Sequence, residues 1–427
     1  MKRIVILGGG FAGAYCAQAL ERRLPRSAAQ VLLLDRNNYF VFHPLLVEAG
    51  TGSLEPRHAV VSLRAFLKRT TFRMADVTEV DLGRREVGYR PPGGGPPGKI
   101  SYDHLVLAPG SVTRLPDIPG LDQHGIEMKS LADAVGLRDR AIRMLETADA
   151  TPDPAARQAL LHFVVVGGNF TGVEVAGELD VLLGRARRLY RNVKREDCRV
   201  TLVEVTGRIL SALDPGLADY AAARLSRRGI QLRLNASVAR IEADRAVLAG
   251  GETLSTRTVI WCAGIRPAPL VGRLHVPVDV RGYILCERDL RVRGFDNVWA
   301  AGDCAVVPDP GGRPYPATAQ HAIREGTHMA GNLVRALAGK PLRPFNFSSL
   351  GSLAPLGCRT AVAQVLGMKL SGFPAYFLWR TYYWLRMPGV SRKFRVALDW
   401  TADLLFSRDF VQLGIQQGPE RPEKACR

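Results

Sequence analysis

The sequence predicts an α/β protein that lays down one structural plan twice and then changes texture. Three observations carry that reading. Short apolar segments such as VLLLD alternate with amphipathic runs. A strand, a glycine turn and the start of a helix read in succession at VILGGGFAGAYCAQAL, residues 5–20, and again at VVVGGNFTGVEVAGEL, residues 164–179. From residue 341 onward the chain becomes aromatic and basic. At 427 residues, 47% of them hydrophobic and 23% charged, there is material for two or three cored domains.

The elements follow in order. Residues 4–7 and 31–34 read as parallel strands around a helix near 11–23, and 36–57 reads as a loop. Residues 71–90 form a short meander ended by the turn PPGGGPP. YDHLVLAPGS is a further strand entering a turn at Gly110, and RLPDIPGLD, with two prolines, makes a crossover. A helix at 131–147, a strand at 162–166, a helix from 172 through LGRARRLYRN and a strand at 199–204 then repeat the plan. VIWCAGIRP, with Gly264 at its turn, closes the repeat, and NVWAAGDCA, residues 297–305, returns to the first domain. The expected division is 1–115 and 281–340 for the first domain, 116–280 for the second and 341–427 for a C-terminal region.

Gly8, Gly10 and Gly13 form G-x-G-x-x-G directly after an apolar strand. The first glycine permits the turn, the second lets backbone approach a pyrophosphate, and the third lets the helix pack on the strand. The helix N-terminus adds partial positive charge. Asp35 ends VLLLD 22 residues after Gly13, where a ribose-binding acid belongs. The second copy offers Gly167, Gly168 and Gly172, with Asn169 in the place of the middle glycine. Asparagine tolerates the left-handed region, so the turn is expected to survive there. Glu204 closes VTLVE 32 residues after Gly172. An acid at that place favours a free 2′-hydroxyl, hence NADH over NADPH, with Arg208 nearby as the opposing feature. The expected fold is therefore two Rossmann-like dinucleotide-binding domains plus a C-terminal amphipathic helical membrane-associating segment.

Composition narrows the partners. The formal net charge of +18 suits anionic lipid or anionic small molecules. No finger, homeodomain or RNP signature appears, so nucleic acid is not expected. The cysteines at 16, 198, 262, 286, 304, 358 and 426 show no C-x-x-C and no metal-ligand spacing, which suits a reducing compartment and no metal site. The chain enters KRIVILGGG without a signal-peptide layout. No apolar run reaches the roughly 18 residues of a spanning helix. A protein of cytosolic origin with peripheral membrane contact is expected.

On these motifs the chain resembles the flavoproteins with two dinucleotide-binding domains, the first holding FAD and the second a nicotinamide. LVLAPGS, NVWAAGDCA and VIWCAGIRP carry the likeness, in which Asp303 would hold the ribityl or phosphate portion of FAD. Disulfide reductases of that family need a C-x-x-x-x-C pair beside the flavin, and NNYFVFHPLLVEAGTG contains no cysteine. A dithiol relay is excluded, and Cys358 in GSLAPLGCRTAV is expected to be a small buried residue. What remains is similar to the type II NADH:quinone dehydrogenases, through NNYFVFHPLLVEAGTGSLEP, GGNFTGVEVAGEL, PATAQHAIREG, GFPAYFLWRTYYWLRMPG and DWTADLLFSRDFVQL.

That resemblance implies a non-proton-pumping enzyme that passes hydride from NADH to flavin N5 and then electrons to a membrane quinone. FAD would contact Gly8, Gly10, Gly13, Asp35, Gly110, Asp303 and Gln320; NADH would contact Gly167, Gly172, Glu204 and Gly264. Glu174 matches a family glutamate on the nicotinamide and quinone side of the flavin, and Gln320 a glutamine beside the isoalloxazine and quinone head group. Arg324 stands where the family often has a second glutamine. His321 and His43 are the nearest proton donors in sequence, whereas Glu48 and Lys369 fall in matching stretches without a role. A soluble reductase of a ferredoxin-like protein and a flavin redox sensor stay open as other readings, and a homodimer is allowed.

Attachment to the membrane is expected at the C-terminal region. Seven aromatics fall in FPAYFLWRTYYW, residues 373–384, and positive charges follow at 380, 386, 392, 393 and 395. Phe394, Ala397, Leu398, Thr401, Leu404 and Leu405 keep helical spacing and would line one face. Asp399 and Asp403 make that helix too polar to span, so it would lie on an anionic surface at the cytoplasmic face of the cell membrane.

Overall fold

A computed structural model of the chain describes residues 1–412 and 414; Cys426 and the rest of the tail lie outside the described residues. The chain forms two compact units. The first comprises Met1–Val41, Val60–Val112 and Ile265–Ser349; the second comprises Phe42–Ala59, Thr113–Gly264 and the chain from Leu350.

Each unit centres on a five-stranded parallel sheet. In the first, the order is Val298–Ala300, His104–Leu107, Lys2–Leu7, Ala29–Asp35, Thr71–Met74. In the second it is Gly125–Glu127, Thr258–Trp261, His162–Val166, Arg199–Val203, Gln231–Arg233. Both sheets obey one rule. The founding strand lies between the strand next in sequence and one that arrives much later, and this reversal leaves a crevice at the carboxyl ends. The apolar runs at Ile4–Leu7 and Phe163–Val165 are fully buried, as a sheet covered on both faces requires.

Small residues set the helix packing in the first unit. Phe11–Arg23 and Ala319–Leu337 press together so closely that a Cβ on Gly326 would stand 2.1 Å from the Ala12 carbonyl oxygen. Any larger residue at 326 would push the two helices apart.

Several local expectations need correction. Residues 36–57 are not a loop: a strand at Tyr39–Val41 pairs with Val60–Ser62, and a short helix, Leu46–Gly50, follows. Of the expected meander, Thr71–Met74 joins the parallel sheet, while Asp76–Asp81, Glu86–Arg90 and Gly98–Ser101 form a separate antiparallel sheet. The helix from Phe170 ends at Ala186, before RLYRN, and gives way to a single tight turn.

Beyond residue 350 a three-stranded antiparallel sheet, Gly351–Pro355, Ala361–Val365 and Met368–Gly372, leads into helices Phe373–Arg386 and Val390–Leu405. The last helix buries Val396 and Trp400 and turns Phe394, Leu398, Leu404 and Leu405 outward. Among the described residues no helix is long and apolar enough to cross a membrane.

Candidate active site

The two glycine loops are built alike. In each, the first glycine takes a left-handed conformation, Gly8 at φ +100° and Gly167 at φ +111°. Its N–H bonds to a carbonyl at the end of the neighbouring strand, Leu34 or Val203. A Cβ on the third glycine would collide with the carbonyl oxygen of the first, at 1.9 Å for Gly13 and 1.8 Å for Gly172. Packing of helix on strand therefore demands glycine at both places.

The acids also match. The Asp35 carboxylate accepts from the Gly9 N–H at 2.6 Å and from the Asn37 N–H at 2.7 Å. Glu204 accepts from Gly168 N–H at 2.5 Å and from the Thr206 N–H and hydroxyl, both at 2.8 Å. Burial raises the Asp35 pKa, opposed by the Gly9 and Asn37 amides. Arg208 is turned to Asp219 at 3.1 Å, so its charge is already countered.

The middle position is where the loops part. Around the Cβ direction of Gly10 no atom lies within 4 Å, which leaves a cradle at the start of helix Phe11–Arg23. Asn169 is not left-handed, contrary to expectation; its φ of −75° and ψ of −177° are extended. It serves as the N-cap of Phe170–Ala186, with Oδ1 accepting from the Gly172 N–H at 3.0 Å and Nδ2 donating to the Cys262 carbonyl at 2.7 Å. Both ends of the amide are engaged within the protein.

Elsewhere in the first unit, Gly110 and Gly302 make left-handed turns at the ends of two neighbouring strands. The Ser111 hydroxyl donates to Asp303 at 2.9 Å. Sequence reasoning missed Glu325, a buried acid that accepts the Gly302 N–H at 2.7 Å and so fixes the turn carrying Asp303. Burial pushes the Glu325 carboxyl up to about 7, and Asp303 adds to the rise against the Gly302 bond. The only sequence signal for Glu325 is its place on the inner face of the helix that begins at Ala319, the face that buries Ala322, Gly326 and Met329.

Gln320 opens the same helix, and its Nε2 donates to the Ser349 hydroxyl at 2.9 Å. Arg324 reaches back to the Gln320 carbonyl and lays its guanidinium over Phe347, 4.1 Å from the ring centre. His321 is buried between Tyr315 and Phe347, with Nδ1 2.7 Å from the Thr318 hydroxyl. Burial, helped by Arg324, pushes its pKa down to about 4, so it is neutral near pH 7. A histidine in that state makes a poor proton donor. His43 is exposed.

In the second unit, Gly264 makes a left-handed turn after Thr258–Trp261, beside Arg114. Glu174 lies in the first turns of helix Phe170–Ala186, and its pKa is raised well above the usual carboxyl value. Burial is the main cause; the neighbouring carboxyls of Glu48 and Glu178 add to it. Glu48, on Leu46–Gly50, is buried and accepts the Trp400 Nε1–H at 2.9 Å. Burial pushes Glu48 to about 7 against the pull of Arg380. Lys369 pairs with Asp214 at 2.6 Å. Cys358 corrects another expectation: it is exposed, not buried, and sits left-handed at φ +48° in the turn between two strands.

Comparison with known proteins places this arrangement. Residues 2–326 match the family model described as pyridine nucleotide-disulphide oxidoreductase, and residues 350–409 match the NDH2 C-terminal domain. The chain is 31% identical over 416 residues to the Probable NADH dehydrogenase of Dictyostelium discoideum, covering 96% of this chain and 90% of that relative. It is 28% identical over 428 residues to Type II NADH:quinone oxidoreductase Ndh of Mycobacterium tuberculosis (strain ATCC 25618 / H37Rv), covering 95% and 89%. The fold is shared with the solved structure of NDH2 from Plasmodium falciparum in complex with NADH, at a TM-score of 0.89 and 20% identity over 96% of this chain and 99% of that one. The chain belongs to the pyridine nucleotide-disulphide oxidoreductase family, among the members that carry the NDH2 C-terminal domain.

Proposed function

We propose that the protein is an FAD-dependent, non-proton-pumping NADH:quinone oxidoreductase held peripherally at the cytoplasmic face of the cell membrane. The observation that carries this reading is the pairing of two dinucleotide-type loops with an NDH2 C-terminal domain whose last helix turns an apolar face outward.

The first unit fits FAD. The Gly10 cradle has room for a pyrophosphate at a helix N-terminus, and Asp35 stands at the end of the second strand for the adenosine ribose. Gly8 and Gly13 shape that loop, while Gly110 and Asp303 belong to the part that holds the ribityl chain. When bound, FAD supplies the two-electron store between nicotinamide and quinone. The second unit takes NADH through Gly167, Gly172, Glu204 and Gly264. Glu204 binds the ribose hydroxyls and repels a 2′-phosphate. Asn169 narrows the approach to the pyrophosphate but leaves the helix N-terminus in place.

Gln320 orients the quinone head group, with Arg324 beside it giving a cationic wall where a second amide is usual. Glu174 holds a proton on the quinone side. His321 is assigned to packing, because a buried imidazole close to Thr318 and neutral near pH 7 is a weak acid. The domain limits proposed are an FAD domain from 1–115 and 281–340 and a nucleotide domain from 116–280. Residues 341–427 are proposed to attach the protein to lipid.

Anaerobic reduction of the purified yellow protein by NADH, followed by addition of quinone, tests the reading. Flavin reoxidation at a rate matching turnover supports it. A strong preference for a ferredoxin-like acceptor, or negligible turnover, would show a soluble reductase or a sensor instead.

A further inference from the structure

Three carboxyls, Glu48, Glu174 and Glu178, act on one another in the second unit. Glu174 and Glu178 are four residues apart on helix Phe170–Ala186, a spacing that sets two like charges on one face at an energetic cost. The short helix Leu46–Gly50 packs against that face and brings Glu48. From helix Phe373–Arg386 come Tyr376, Tyr383 and Arg380, and from Val390–Leu405 come Trp400 and Asp403. Arg380 stacks over the Trp400 ring at 4.1 Å. Arg408 is shared between Asp403 at 2.6 Å and Glu178 at 3.6 Å. From Leu131–Ala150, which also packs on the Glu48 helix, Arg138 turns away to the Asp409 carbonyl, and Asp139 accepts the Gly414 N–H. On the remaining side His58 is committed to Asp399 at 2.5 Å, and His43 is exposed.

A cavity of about 570 Å³ leads to this cluster. Its rim carries the exposed residues Arg188, Cys358 and Arg359; its inner end carries Glu48 and Trp400, both under 10% exposed. At roughly 30 Å³ per water, such a space holds on the order of ten waters or more. Glu48 and Glu178 line the cavity; Glu174, partly exposed and one turn from Glu178 on the same helix, does not.

We propose that Glu48 is the proton-loading carboxyl of the quinone half-reaction: it takes a proton from water in this cavity and passes it to Glu174. The proposal rests on the quinone reading above. The balance is NADH + H⁺ + quinone → NAD⁺ + quinol. Hydride brings two electrons and one proton, and the second proton comes from the medium. At that step the Glu174 O–H breaks as a quinol O–H forms. The Glu174 carboxylate then takes the proton of Glu48, and Glu48 reloads from the cavity. Glu178 pairs with Arg408 at 3.6 Å, and its proximity raises the pKa of both Glu48 and Glu174. A Glu48 pushed up to about 7 exchanges protons at neutral pH, whereas ordinary carboxyls are empty there.

Glu48→Gln and Trp400→Phe test this in the flavin-loaded protein. In Glu48→Gln, flavin reduction by NADH should keep its rate in anaerobic stopped flow. Reoxidation by a short-chain quinone should slow tenfold or more, and its pH profile should lose the limb near 7. Trp400→Phe removes a hydrogen bond to the ionised carboxyl, so that limb should move to higher pH. Infrared pH-difference spectra, which need no turnover, should show a carboxyl titrating near neutrality that is absent from Glu48→Gln. Equal slowing of both half-reactions, or an unchanged quinone half with an unchanged limb, overturns the proposal. If Glu48→Gln does not fold, an unmoved limb in Trp400→Phe overturns it. Failure of the unmodified protein to reduce quinone at all would instead defeat the oxidoreductase reading, and the infrared titration would still decide whether Glu48 loads a proton.

Discussion

Asn169 caps its own helix, accepting the Gly172 N–H at 3.0 Å in the very position where the first loop leaves Gly10 open. Replacing it by alanine removes an N-cap and the bond to Cys262, and should destabilise the protein by about 1 kcal/mol or more. Asn169→Gly should cost less in stability and should tighten NADH, because it reopens the cradle. Thermal melts with NADH titrations read both effects. A glycine variant that binds NADH more weakly would show that the amide side chain itself contacts the cofactor.

Glu204 should set the choice of nicotinamide. Its carboxylate is already held by Gly168 and Thr206, so it is fixed in place before any ribose arrives. NADH should exceed NADPH in kcat/KM, and Glu204→Ala should shrink that ratio by roughly tenfold, about 1.4 kcal/mol. Equal use of both cofactors by the unmodified protein would defeat the assignment.

Gln320→Ala should slow quinone reduction about tenfold and leave flavin reduction by NADH within about twofold. Single-turnover measurement of each half separates them. A defect confined to the NADH half would place Gln320 elsewhere.

Glu325 makes stability depend on pH. Its folded pKa of about 7 lies above the ordinary 4.5, so between those values the folded chain holds a proton that the unfolded chain releases. Its contribution is complete below about pH 4.5 and is lost as pH rises through about 7. Glu325→Gln can still accept the Gly302 N–H and carries no charge. It should therefore stabilise the protein by about 1–3 kcal/mol at pH 8 and change little at pH 4.5. Melting curves at the two pH values check this, and a variant destabilised at pH 8 would contradict it.

Membrane attachment is best tested on the exposed face. Deleting 380–427 would also strip Trp400 from Glu48 and Arg408 from Glu178, so loss of binding could reflect damage to the unit. Phe377 and Leu398 are 62% and 52% exposed and leave the core intact when changed. Phe377→Ser with Leu398→Ser should cut cosedimentation with anionic vesicles about tenfold, and salt should weaken binding in both proteins. Unchanged binding by the folded double variant would move the attachment surface.

The glycine loops were legible because backbone geometry admits only glycine at Gly8, Gly13, Gly167 and Gly172, and their acids sit at fixed places on neighbouring strands. Asn169 was misjudged because the middle glycine of the motif is required for space, not for a left-handed turn; Gly10 itself has φ −70°. Glu48 could be placed in a matching stretch but given no role. Its donor Trp400 lies 352 residues away, and nothing local marks a glutamate in VEAGTG as buried. Cys358 looked like filler because its neighbours are apolar, yet the strand-to-strand turn carries it outward.

The bond between Glu48 and Trp400 also has a meaning in time. Protein synthesis runs from the N-terminus at about 5–20 residues per second, so Trp400 appears on the order of tens of seconds after Glu48 has left the ribosome. Through that interval Leu45, Leu46, Val47 and Leu54, all buried in the finished unit, have no complete core to enter. The segment 42–59 thus waits for the last part of its unit to be made. A polypeptide cut short before residue 400 leaves Glu48 without the indole N–H that it accepts in the finished unit.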